Sequence, residues 1–89
     1  QRQMCIRDRE SPGNYDKLDE SHFDFALGFE PEVILLGTGN KIQFPAPHLM
    51  GIPARQGVGL EVMDTAAACR TYNILAGENR QVVAILIIE

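Results

Sequence analysis

The chain has 89 residues, 45% of them apolar, and a formal charge of −4 at neutral pH. That is room for one small domain with a modest core. With no Lys/Arg cluster, nucleic acid or an anionic membrane surface is not expected as a main partner. Two cysteines, Cys5 and Cys69, without a CxxC spacing suggest neither a disulfide framework nor a zinc site, and a reducing, cytoplasmic setting fits best.

The start is set apart from the rest. Gln3-Met4-Cys5-Ile6-Arg7-Asp8-Arg9 reads as the translation of a transposon-end sequencing adapter, so residues 1–9 are excluded from fold reasoning; a genuine polar tail is the alternative. These nine residues are net basic, so the rest of the chain is more acidic than the whole. No secretory leader is recognised, and the longest apolar run, Val82 to Ile88, is far too short to span a bilayer, so no membrane insertion is expected.

Residues 10–20 hold Ser11-Pro12-Gly13-Asn14 and read as a polar loop. Asp19-Glu20-Ser21 supplies helix-start chemistry ahead of Phe23 and Leu27, which predicts a short helix over about 21–28 covering a sheet. His22, in its first turn, reads as an exposed residue. After Pro31, Glu32-Val33-Ile34-Leu35-Leu36 is a continuous apolar run and predicts a strand covered on both faces. Gly37-Thr38-Gly39-Asn40 ends it. The third glycine of a dinucleotide fingerprint would fall on Ile42, so this is either a plain tight turn or an anion loop.

Pro47 presets a helix running to about Gln56, with Pro53 expected to kink or shorten its last turn and Gly57 to stop it. His48, Leu49, Met50 and Ile52 form its apolar stripe, and His48 reads as structural. Residues 58–62 form the next strand. It turns sharply at Asp64-Thr65, either of which suits a helix cap. Ala68, Tyr72 and Leu75 then mark the inner face of a helix kept slim by Ala66, Ala67 and Ala68, and Gly77 ends it. After Glu78-Asn79-Arg80, residues 81–88 predict the last strand. The order α, β, α, β, α, β is that of a layered α/β domain with a three-stranded core and covering helices.

Few residues here can carry chemistry. Cys69 reads either as a small core residue or as a reactive thiol, although it lies beyond the first turn of its helix, where a thiolate would be stabilised. Arg70 can bind a carboxylate or pair with Glu61, Asp64 or Glu78. If the strands ending at Leu36 and Val62 are parallel, their ends lie side by side, where open α/β sheets bind ligands. The helix start beside them suits an anion, unless the Asp64 carboxylate already occupies it.

Two stretches, Pro31-Glu32-Val33-Ile34-Leu35-Leu36-Gly37-Thr38-Gly39 and Glu61-Val62-Met63-Asp64-Thr65-Ala66-Ala67-Ala68-Cys69-Arg70-Thr71-Tyr72-Asn73-Ile74-Leu75, resemble the Mth938-domain family, formerly a domain of unknown function. The similarity runs over roughly residues 23–89, within a partial domain taken as 21–89. It implies a three-layer α/β fold around a mixed sheet, with the last strand antiparallel to the others. Family members usually begin with further strands that have no counterpart here, so the resemblance implies an N-terminally truncated member with an uncovered sheet edge. Pro53 departs from the family's usual helix formers.

The mitochondrial branch of that family is similar to an assembly factor for respiratory complex I, which binds partner proteins. The resemblance therefore implies a non-enzymatic cytoplasmic interaction or assembly domain, with a protein partner, no catalytic residues, no metal and no cofactor. Gly37, Thr38, Gly39, Asp64, Thr65, Cys69, Arg70, Thr71, Tyr72 and Asn73 would shape its cleft or partner surface. The alternative is a small-molecule or anion binder, conceivably an enzyme, using the cleft between the Gly37 loop and the Asp64 corner with Arg70 as an anchor. A binder requires a concave pocket there with Arg70 pointing in. An assembly protein requires an exposed apolar patch on a helix face.

Overall fold

A computed structural model describes the backbone of residues 4–8 and the chain from residue 20 to residue 87. Of the loop expected at 10–20, residues 10–19 lie outside the described residues, as does the last residue of the final predicted strand, whereas Glu20 already opens a helix. Seven elements run in order: β1 (Met4–Asp8), α1 (Glu20–Leu27), β2 (Val33–Gly37), α2 (Pro47–Arg55), β3 (Gly59–Met63), α3 (Thr65–Gly77) and β4 (Val82–Ile87).

The apolar runs decide the middle of the sheet. Ile34, Leu35 and Leu36 in β2 and all six residues of β4 are buried, so both faces of each strand are covered. Alternate side chains go to opposite faces. Ile34, Leu36, Val83 and Ile85 pack with Phe23, Ala26, Leu49 and Ile52 from α1 and α2. Leu35, Val82, Ala84 and Leu86 pack with Ala68 of α3, flanked by Tyr72, Leu75 and Cys69. The result is a three-layer α/β domain.

The sheet has the order β1-β4-β2-β3, and every described pairing is parallel. The last strand is thus parallel to its neighbours, where a mixed sheet with an antiparallel last strand was expected. The reason is in the connections. A helix over one face separates β2 from β3 and β3 from β4, which returns the chain to the same end of the sheet each time. The sheet also has a strand more than the expected three. Met4–Asp8, set aside on sequence grounds, lies along β4 in the register Met4↔Val83 to Asp8↔Ile87. Strand pairing is made by backbone groups, and an unpaired edge accepts an extended segment largely regardless of its side chains. The edge of β4 is therefore paired.

Local signals behave largely as read. Pro47 opens α2, and Pro53 sits within it, two residues before its end. The carbonyl of Pro53 accepts from Gln56 and Val58 N–H, and Gly57 takes a left-handed φ of 73°, so the helix stops there. The two histidines differ from expectation: His48, placed in the apolar stripe of α2, is exposed, and His22, read as exposed, is half-buried. At the opposite end of the sheet from the Gly37 corner, Glu32 precedes β2 and Arg80 precedes β4. Arg80 Nε donates to Glu32 Oε1 at 2.8 Å, and Glu32 N–H donates to the Gln81 carbonyl, also at 2.8 Å.

Candidate functional site

The carboxyl ends of three strands converge at one corner. Gly37 is level with Met63 of β3 on one side and with Leu86 of β4 on the other. This is the side-by-side arrangement expected of parallel strands. The α3 helix starts directly above it, and Gly37 has to be a glycine for that helix to sit so close. A Cβ there would stand 2.9 Å from Thr65 Cα, 3.1 Å from Ala68 Cβ and 3.1 Å from Leu86 Cδ2.

Thr65 ties the corner together. Its Oγ1 donates to the Ile87 carbonyl at 2.8 Å and accepts from Gly39 N–H at 2.8 Å, while its own N–H donates to the Gly39 carbonyl at 2.9 Å. Gly39 takes a φ of 91°, which lets its N–H and carbonyl both face Thr65. Thr38 is fully buried. Its N–H donates to the Met63 carbonyl, its Oγ1 donates to the Lys41 carbonyl at 2.6 Å, and the same oxygen accepts from Gln43 N–H at 3.1 Å. Two threonine hydroxyls thereby satisfy backbone groups from both flanks of a tight turn.

The start of α3 is capped from within. Asp64 Oδ1 accepts from Ala67 N–H at 2.8 Å, and the Asp64 carbonyl accepts from Ala68 N–H at 2.9 Å. With Thr65 N–H bonded to Gly39, two of the N–H groups that a helix start leaves without an intrahelical acceptor, those of Thr65 and Ala67, have partners in the protein. A carboxylate, not an incoming anion, occupies the positive end of the helix dipole.

The ten sequence-selected residues fall into two sets. Gly37, Thr38, Gly39, Asp64 and Thr65 meet in the corner. Cys69, Thr71 and Tyr72 are half-buried along α3, with Cys69 and Tyr72 against the Leu35–Leu86 side of the core; Thr71 Oγ1 lies 3.6 Å from Met63 Sδ as its donor. Cys69 is a free thiol. Arg70 and Asn73 are exposed. Arg70 follows the fully buried Ala68 by two residues, which at 100° per residue puts it about 160° round the helix from the core. Arg70 is therefore not brought to the corner. Nor does it pair with Glu61, Asp64 or Glu78, as a salt-bridge reading required; among the described residues it has no ion-pair partner. Among the same residues, no three His, Cys, Asp or Glu side chains gather as a metal site would need, and no helix is long and apolar enough to cross a membrane.

Sequence reasoning missed the Ile87, Lys41 and Met63 carbonyls, because a backbone acceptor leaves no residue-type signature. It also passed over Phe25, which is 59% exposed. The signal was present: Phe25 stands off the Phe23–Leu27 stripe, on a helix whose core side is already filled.

A family model described as a protein of unknown function (DUF498/DUF598) matches residues 3–87. This chain belongs to that family, the Mth938-like domains. A Bordetella pertussis Mth938-like domain solved by NMR is 51% identical, with a TM-score of 0.57 over 63% of this chain and 36% of that one. A Francisella tularensis protein named 13 kDa major membrane protein is 40% identical over 81% of this chain and 63% of its own length. The bovine NADH dehydrogenase [ubiquinone] 1 alpha subcomplex assembly factor 3 is 35% identical over 84% of this chain and 42% of its own length. The chain thus spans less than two thirds of either curated relative. Within the Mth938-like fold, the Gly37–Thr65 corner is where helix and sheet are stitched together.

Proposed function

We propose that this chain is a non-enzymatic protein-interaction domain of the assembly-factor kind, acting in the cytoplasm. One observation carries the reading: the polar corner is bonded to itself, whereas large apolar side chains stand in solvent on the helices and loops. Phe25, Ile42, Phe44 and Ile74 are each more than half exposed. Exposed apolar side chains of this size are the ones a second protein surface would cover. Kinship with the bovine assembly factor supports a role exercised on protein partners.

An anion or small-molecule site at the corner would need free N–H donors and a converging cation. The Thr65 and Ala67 N–H groups are taken, the Asp64 carboxylate stands at the helix start, and Arg70 faces away. The test is affinity purification of the tagged chain from cells that express it, with cross-linking and mass spectrometry, alongside a thermal-shift screen of small anions on the wild type and Arg70→Ala. The expected result is a protein bound in fixed stoichiometry and no anion-dependent shift. An anion that stabilises the wild type and loses its effect in Arg70→Ala would overturn the reading.

A further inference from the structure

Helix α1 has a solvent face of unusual make-up. At 100° per residue its exposed positions, continued by Gly28 in the closing turn, fall on one arc in the angular order Glu20, Asp24, Gly28, Ser21, Phe25. Carboxylates form one border of the arc and an aromatic ring the other. Between them run the two smallest exposed residues of the segment, Ser21 and Gly28. Phe25 is not a loose ring: it meets Phe29 edge to face, with centroids 5.4 Å apart, and Phe29 in turn packs against the core. The ring is therefore held in a fixed position while 59% exposed. No Lys or Arg occurs on α1, and Glu30, just beyond it, is exposed and acidic.

An aromatic anchor beside two small residues, bordered by carboxylates on the far side, is complementary to a helix with an apolar stripe and a cationic flank. We infer that the α1 face docks a basic amphipathic helix of a partner protein, with apolar side chains against Phe25 and Lys or Arg reaching Asp24 and Glu20. This rests on the protein-interaction reading and specifies the partner's chemistry. A small residue at Ser21 and at Gly28 is what lets the partner backbone come close, and Phe25 supplies the contact that excludes water.

The probe is a labelled helical peptide of about 15 residues with a leucine stripe and flanking lysines. A matched peptide carries glutamate at each lysine position. Binding is read by fluorescence anisotropy at low and high salt. The lysine peptide should bind at least about tenfold more tightly than the glutamate peptide and weaken as salt rises. Phe25→Ser should cost at least about tenfold in affinity, and Asp24→Lys should reverse the preference between the peptides. Phe25→Ser gives up the edge-to-face contact with Phe29 and should melt at a lower temperature, so an unchanged circular-dichroism spectrum and a single cooperative transition will show that the fold is intact. Equal binding of the two peptides, or no effect of Phe25→Ser, would overturn the inference. Recovery of the cellular partner undiminished by Phe25→Ser would overturn it too, yet leave the interaction reading standing; an anion site at the corner would remove the reading itself.

Discussion

A single methyl group on Gly37 tests how tightly α3 is seated. Gly37→Ala puts that methyl against backbone at Thr65 and side chains at Ala68 and Leu86, and overpacking of this kind costs about 1–3 kcal/mol. Chemical denaturation should show a loss in that range, with the midpoint falling and the slope unchanged. Thr65→Val keeps the shape of the side chain but leaves Gly39 N–H without its acceptor and the Ile87 carbonyl without its donor. A loss of about 2 kcal/mol is expected from those two groups, measured in the same way. Arg70→Ala, by contrast, should stay within about 0.5 kcal/mol of wild type, because an exposed side chain without a partner has little to lose. If Arg70→Ala were as damaging as Thr65→Val, the placing of Arg70 outside the corner would be wrong.

Among the elements, α3 depends most on its first turn. Asp64→Ala removes the acceptor for Ala67 N–H and should cost about 1 kcal/mol, read as a lower melting temperature, with Asp64→Asn retaining most of the stability. That cap was legible in the sequence because Asp-Thr followed by alanines is a local pattern with a local cause. The strands β2 and β4 were legible for a related reason: an uninterrupted apolar run has no face it can leave in water. What the sequence did not disclose is relational. Nothing in Val82–Ile87 states whether its neighbours run with it or against it, and the antiparallel expectation failed on that point. Nothing in Met4–Asp8 announces a strand either, since the backbone of β4 recruits it. Arg70 illustrates the limit for the site. Its chemistry suggested an anchor, but helical phase relative to the sheet, fixed by Ala68, turned it outward.

At the scale of the whole molecule, the Glu32–Arg80 pair joins the leading ends of β2 and β4 across the sheet. The hydrogen bond from Arg80 and the one from Gln81 N–H hold the Glu32 carboxyl below the usual glutamate range. A carboxyl depressed in the folded state contributes stability that is present above its unfolded value and lost as pH falls through the lowered folded value. Melting temperature should therefore decline on acidification below about pH 4.3, the ordinary glutamate value, and Arg80→Ala should flatten that decline. Both side chains are nearly half exposed, at 46% and 48%, so added salt should shrink the difference between the two proteins. A pH profile identical in wild type and Arg80→Ala would show that the pair does not bias folding.

The sheet order β1-β4-β2-β3 has a further bearing on how the chain reaches this state. The strand reached last along the described chain takes an inner place, between the strand reached first and the one after α1. Among the described strands, β1 has no neighbour to pair with while a ribosome is still delivering α3, and α1, α2 and α3 share a two-stranded ribbon too narrow to cover them. Every earlier element is provisional until β4 slides into the gap, so the newborn chain passes through a stage in which both helical layers are greasy and unclosed, and a holding chaperone would find its substrate there.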